Sequence, residues 1–469
     1  MFKVALINPT QSSGYSQPPM GLALIAAVLE REGYQVALLE ANALKLQPED
    51  LVPLVTGVDV VGLTAMTPTI NTAMAIAHHL KKAYPDLPII LGGAHATLLP
   101  EETLIAAPEI DILVRGEGEV TIIELLQALE YERPLSEILG ISYRKDDEVV
   151  SNHARPKKVD LDSLPFVAYH MLPWRKYKPH PPHGRALPFA AIITSRGCPY
   201  GCSYCSKPIF GNKFRGQSPE RVVEEVAYYK SRFGIKELAF YDDVFTLDRR
   251  RAYAIADEIM KRGLKIHWTC ETRVNLVDKE LLRHFKQAGC YSIAYGIESG
   301  SQEILNTLDK DITLDQVEEA VHISQEAGLQ TIGYFMIGSP GESPETIRQT
   351  IQFAKKLKLD FAQFSITTPF PGTKLYDLYL DDKKGVNVPW ESFFYAGSGR
   401  GVSPVFESSL LNRNDIQNWT RRVYREFYLR PSYPWQRIRH TASIGDLKVG
   451  IKGLSMLLGN IMPIPRGRG

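Results

Sequence analysis

From residue 1 to about 130, short apolar runs alternate with stretches whose apolar side chains recur at helical spacing. The runs 4–8, 35–40, 58–66, 88–93 and 110–115 predict buried strands, and 20–32 and 71–83 predict helices. Five strands interleaved with helices predict an open, mostly parallel, doubly wound sheet. Ligands of such Rossmann-like sheets bind beyond the carboxyl ends of the strands. Alternation resumes at 186, with strands predicted at 189–195, 237–242, 265–272, 292–299, 331–338 and 361–368. Helical patterns at 219–233, 249–262, 279–288, 314–327 and 344–357 lie between them. Six parallel strands with returning helices predict a partial (β/α)6 barrel with its chemistry at the carboxyl ends. The chain therefore divides into an α/β unit at 1–135, a hairpin and linker at 136–185, a barrel at 186–375 and a helical, aromatic-rich region at 376–469. That last region is expected to cap the open side of the barrel and line a substrate cavity.

Composition narrows the picture only a little. The 469 residues are 44% hydrophobic, enough to bury a large core, and 54 Lys and Arg face 53 Asp and Glu. A net charge of +1 offers no footprint for nucleic acid. The N-terminus runs straight into a strand pattern without a secretory leader, and no apolar run nears the ~20 residues of a spanning helix. A cytoplasmic protein is expected. Residues 447–462 are apolar, flanked by Lys448, Lys452, Arg466 and Arg468. They read as a contact with a membrane surface or, preferred, as a helix packed on the barrel or a poorly ordered end.

The cysteines change the picture most. Three of five fall within Cys198-Pro-Tyr-Gly-Cys202-Ser-Tyr-Cys205, just after the first predicted barrel strand. Three thiolates at this spacing can hold three irons of a cubane cluster, and no fourth cysteine is nearby to complete it. The iron left over can bind and activate a substrate. A structural zinc site normally closes with four ligands, and the nearest histidines, His183 and His267, lack paired spacing. An odd cysteine count without a leader argues against a disulfide. A metal site of another kind stays open as the alternative.

This loop, with aromatic Tyr204 before the last cysteine, resembles the cluster loop of the radical S-adenosylmethionine (SAM) superfamily. Pro18-Pro19-Met20-Gly21-Leu22, Gly92-Gly93-Ala94-His95-Ala96-Thr97 and Arg115-Gly116-Glu117-Gly118-Glu119 are similar to the cobalamin-binding domain that precedes many radical SAM cores. Gly296-Ile297-Glu298-Ser299-Gly300 resembles the G-x-E-S-G segment, and Pro369-Phe370-Pro371-Gly372-Thr373 resembles the P-x-P-G-T ending. The resemblance covers roughly residues 1–375. Residues 422–434 extend it to the group holding anaerobic porphyrin cyclases and hopanoid methylases. The D-x-H-x-x-G motif is absent, so cobalamin is expected without an axial histidine from that loop; a degenerate domain that binds nothing is the alternative.

The resemblance implies that Cys198, Cys202 and Cys205 hold a 4Fe-4S cluster and that Glu298 contacts the amino or ribose groups of SAM. Tyr204 belongs to the same loop. Asp242 is a candidate for ribose hydroxyls, with a helix cap as the alternative. Arg273, inside a barrel, needs an anionic partner, for which the SAM carboxylate and Glu271 compete. Gly338 and the other glycines near the fifth strand are expected to admit the adenine. Thr10, Thr64, Thr67, Gly92, Gly93, His95, Arg115, Gly116 and Glu117 lie at strand ends of the first unit and are expected to line cobalamin. Cys270 and Cys290 read as plain buried thiols.

The activity implied is that of a cobalamin-dependent radical SAM enzyme. Reductive cleavage of SAM yields a 5′-deoxyadenosyl radical that takes hydrogen from an unactivated carbon. Methylcobalamin then passes its methyl group on, and a second SAM restores it. A flavodoxin or ferredoxin reductant and a small-molecule substrate, lipid-like or tetrapyrrole, are implied as partners. Oxidative cyclisation or ring rearrangement with the same cofactors is the nearest rival, and a non-catalytic cobalamin or redox sensor a distant one.

Overall fold

The computed structural model describes residues 2–11, 16–146, 148–157, 159–178, 184–383 and 410–433, with single positions at 389, 390, 393 and 407. The apolar segment 447–462 and the tail residues Phe394 and Tyr395 lie outside the described residues.

The first unit is a sheet of seven strands, β1 (Lys3–Asn8), β2 (Gln35–Glu40), β3 (Val60–Thr64), β4 (Ile89–Gly92), β5 (Ile112–Val114), β6 (Ile141–Lys145) and β7 (Glu148–Ser151). Their order is β2-β1-β3-β4-β5-β6-β7, parallel through β5. Strands β1, β3, β4 and β5 are buried on both faces, which is why they read as unbroken apolar runs. Helices Met20–Arg31 and Gly118–Glu130 cover one face, and Ile70–Ala83 and Pro100–Ala106 the other. The chain reverses its direction of winding between β1 and β3, the position at which such sheets open a ligand crevice. The hairpin expected in the linker is instead part of this sheet: β6 adds antiparallel to β5, and β7 antiparallel to β6. The first unit thus runs to Ser151, past the boundary expected at 135.

The second unit holds β8 (Phe189–Ile192), a two-stranded ribbon of β9 (Ser195–Arg196) and β10 (Arg215–Gly216), then β11 (Glu237–Phe240), β12 (His267–Thr272), β13 (Cys290–Glu298), β14 (Gln330–Ile337) and β15 (Phe361–Ile366). The order β15-β14-β13-β12-β11-β8 is parallel throughout, and β8 does not pair with β15. It is an open barrel. The helix Pro219–Phe233 shows how sequence sets its frame: the Ser218 side chain caps Arg221 N–H, Pro219 starts the helix, and left-handed Gly234 (φ 66°) ends it. Its Val222, Val223, Val226 and Tyr229 are fully buried against the sheet, each such side chain contributing roughly 1.5–3 kcal/mol.

The two units meet at their ligand-binding edges. Glu117, beyond β5, pairs with Arg196 of β9 and Arg215 of β10, and Glu119 also pairs with Arg196. Leu98, beyond β4, packs against Gly372, beyond β15. Gln17 donates to the Tyr241 hydroxyl beyond β11 at 3.3 Å, and Met20 packs on Phe189, Ala191 and Ala239. Among the described residues no helix is long and apolar enough to cross a membrane.

Candidate functional site

The cysteine loop leaves the ribbon strand β9 through Gly197, whose φ of 84° and close approach to the Lys213 carbonyl exclude a side chain. Cys202 is buried, Cys198 partly exposed and Cys205 exposed; all three are free thiols. The hydrogen bond from Cys205, with the nearby cations of Lys310 and Arg273 adding to it, holds the Cys202 thiol well below the ordinary range, while the same hydrogen bond and burial push Cys205 up. Burial raises Cys198. As they stand, no three His, Cys, Asp or Glu side chains among the described residues converge tightly enough for a metal ion. The loop has no regular secondary structure between 197 and 214, so gathering three sulfurs breaks no helix or strand. Three thiols, one already favoured as thiolate, match the donor chemistry of an iron–sulfur cluster, and among the described residues no fourth ligand closes a zinc site.

Beside the cysteines stands a buried charged group. Glu298 ends β13 with φ 68°, a left-handed conformation unusual for a side chain larger than glycine. Its Oε1 accepts hydrogen bonds from Lys310 Nζ at 2.8 Å and the Tyr204 hydroxyl at 2.9 Å, and Lys310 also reaches that hydroxyl. Arg273 donates to Cys202 Sγ at 3.5 Å and to the carbonyls of Lys310 and Asp311, and stacks over the Tyr200 ring at 3.6 Å. Glu271 is not its partner. Sequence reading missed Lys310 and Tyr200. Lys310 sits in a loop, where no periodicity marks it; Tyr200, inside the cysteine loop, could have been noticed as a cation-stacking aromatic.

Two of the expected residues are engaged by the protein itself. Asp242 is fully engaged inside the protein: it accepts from Thr194 N–H (2.7 Å), Thr194 Oγ1 (2.8 Å) and Ser195 Oγ (2.7 Å), tying β11 to the start of the cysteine loop. Burial raises its pKa. The helix cap expected there is supplied by Asp248. Gly338 makes room for protein, since a Cβ there would meet Ile416 of the helix Arg413–Tyr428 at 3.0 Å. The Gly333 position is likewise filled by Leu359, Phe335 and Ile297.

At the edge of the first sheet, Gly116 (φ 75°) has nothing within 4 Å of where a Cβ would stand, and neither does Gly21. Thr64 is partly exposed and Met66 exposed. The two glycines leave the backbone at this edge open to close approach. Other residues expected there are used internally. Gly93 brings its backbone against Ala65, where a Cβ would lie 2.6 Å from the carbonyl oxygen, and the Cβ position at Gly92 faces Val114 and Leu63 carbonyls. Thr10 Oγ1 donates to Leu46 O at 2.7 Å. Arg115 donates to the carbonyls of Ile141 and Asn152, holding the hairpin. Glu117 is taken up by two guanidinium groups. His95 is completely buried, with Nδ1 3.2 Å from Thr67 Oγ1 and its ring edge-on to Trp390. Burial lowers its pKa to about 4, so the imidazole is neutral.

Residues 192–354 match the family model of the radical SAM superfamily, and residues 10–126 that of the B12 binding domain. An uncharacterized methyltransferase of Pyrococcus horikoshii is 37% identical over 92% of this chain and 93% of its own length. An anaerobic magnesium-protoporphyrin IX monomethyl ester cyclase of Cereibacter sphaeroides is 29% identical over 96% of this chain and 75% of its own length. Among solved structures, the radical SAM methyltransferase TsrM from Kitasatospora setae, with cobalamin and a [4Fe-4S] cluster bound, superposes with a TM-score of 0.69 at 20% identity. That match covers 82% of this chain and 76% of the other, and at such identity it speaks to the fold.

Proposed function

Since this chain belongs to the radical SAM superfamily and carries a B12 binding domain ahead of the barrel, we propose that it is a cobalamin-dependent methyltransferase acting on an unactivated carbon of a small molecule. The observation that carries this reading is the meeting of the two ligand edges, sealed by the buried Glu117–Arg196 and Glu119–Arg196 pairs. A group held by Cys198, Cys202 and Cys205 and a group held at the Gly116 edge would then open on shared space. When bound, the cluster, SAM and cobalamin supply reductive SAM cleavage, hydrogen-atom removal and a transferable methyl group. The chain itself contributes position and charge. Lys310 and Arg273 add to the Cys205 hydrogen bond in favouring the Cys202 thiolate, and Glu298 offers a carboxylate to the SAM ammonium. Met20 packs on the barrel flank, beside the exposed Gln17–Tyr241 hydrogen bond. We place its action in the cytoplasm, with a flavodoxin or ferredoxin as reductant.

The relationship to porphyrin cyclases over nearly the whole chain favours one second reading, oxidative cyclisation with the same groups. An assay separates the two: anaerobically reconstituted protein with cobalamin, reductant, methyl-deuterated SAM and host extract. We expect matched S-adenosylhomocysteine and 5′-deoxyadenosine, with deuterium in one metabolite. Deoxyadenosine without label transfer favours cyclisation, and the absence of both products overturns the enzyme reading.

A further inference from the structure

The concave face of the barrel carries a second polar group away from the cysteine loop. On β12, Trp268 and Cys270 pack into the helix-side core, so the alternation of a strand turns Thr269 and Glu271 to the lumen. On β14, Phe335 and Ile337 lie in that same core, while Tyr334 packs with Ala294, Ile332 and Phe361 on the inner side. The strand between them contributes little bulk: Glu271 is level with Ala294, and Tyr334 with Gly296. The Tyr334 hydroxyl therefore reaches across β13 and donates to Glu271 Oε1 at 2.9 Å.

We propose that Glu271 and Tyr334 form the substrate-anchoring pair of the lumen, accepting a hydroxyl or amine N–H from a neutral or cationic small molecule and rejecting anionic ones. The inference rests on the methyl-transfer reading only for the reaction that follows binding.

Several observations support it. Glu271 and Tyr334 are both partly exposed, so the pair is open to a ligand. Tyr334 takes one carboxylate oxygen, which leaves the other for a donor. The cations of the neighbouring cysteine site are committed elsewhere: Lys310 to Glu298, and Arg273 to two carbonyls and the Tyr200 ring. The neighbouring charge is Asp243, and an anion placed here would meet two carboxylates. Burial lifts the Glu271 carboxyl to about 7, against the Tyr334 hydrogen bond, so both protonation states are within reach and either a hydroxyl or an amine can be held. The position is apt. Gly296 separates the pair from the Glu298–Lys310 group, since a Cβ there would meet both Glu298 Oε1 and Lys310 Nζ. Gln17 of the first unit reaches Tyr241, which follows β11 on the same face.

The test uses full-length reconstituted protein as wild type, Glu271→Gln and Tyr334→Phe, with host extract split on an anion exchanger at pH 8. Cluster and cobalamin content, read by absorbance, serve as the fold control. The expected result is label transfer supported by the unretained fraction and reduced at least about tenfold in Glu271→Gln, as for loss of a hydrogen bond to a charged group. Support only from the retained, anionic fraction overturns the proposal, and so does wild-type transfer by a Glu271→Gln protein with full cofactor content. If wild type transfers no label, the methyl-transfer reading has failed separately. Extract-stimulated deoxyadenosine formation, compared across the same fractions and variants, then decides on the pair.

Discussion

Glu342 illustrates how one buried carboxyl sets a loop. It is fully buried beyond β14, and its Oε2 accepts the N–H groups of Gly338 and Ser339. Its other oxygen, Oε1, has no partner. Desolvation outweighs the two hydrogen bonds and pushes the pKa from 4.5 up to about 7. The folded protein therefore holds this proton more tightly than the unfolded chain. Its contribution to stability is complete below about pH 4.5 and is lost as pH rises to about 7. The gap from 4.5 to 7 corresponds to about 3 kcal/mol. Glu342→Gln removes the proton, so wild type should lose that much relative to the variant between pH 4.5 and 7 in anaerobic urea unfolding; parallel pH profiles would refute it. This role was not legible in Gly338-Ser-Pro-Gly-Glu342, because a turn signal does not say which carboxyl faces inward.

At the scale of elements, the edge strand β15 is finished by side chains rather than by another strand. Tyr428 Oη accepts Ala362 N–H at 3.0 Å and donates to Ala362 O at 2.7 Å, Tyr424 accepts Phe364 N–H, and Tyr433 donates to Asp360 O. These hydroxyls satisfy an edge that would otherwise invite pairing with another chain. Tyr428→Phe leaves both polar groups of buried Ala362 unpaired, and we expect a loss of about 2 kcal/mol. Faster amide exchange confined to 361–366 would accompany it, and unchanged protection there would contradict the role. The aromatic residues of this helix were visible as a cap in the sequence, but their hydroxyl contacts were not, since hydrogen bonding has no period. The parallel strands were legible because burial on both faces makes them continuous apolar runs. The hairpin β6–β7 was assigned to a linker because its outer strand is only half-buried and its pairing is antiparallel, so nothing in its pattern ties it to the runs before it.

For the whole molecule, the decisive feature is that two separate sheets present their carboxyl ends to each other. Arg196 stands two residues before Cys198, and Glu117 directly follows Gly116; their buried pairing joins the cysteine loop to the edge of the first sheet. Breaking such a pair on one side leaves an uncompensated charge, typically at a cost of about 3–5 kcal/mol. The cysteine loop and the strand-end motifs could be read one by one from the sequence, whereas their juxtaposition depends on long-range packing. The most direct test of the central claim is the power saturation of the cob(II)alamin electron paramagnetic resonance signal with the cluster oxidised and then reduced. The account predicts faster relaxation on reduction in wild type and none in a chain carrying Cys198→Ala, Cys202→Ala and Cys205→Ala. Unchanged saturation of the wild-type signal on reduction would contradict it.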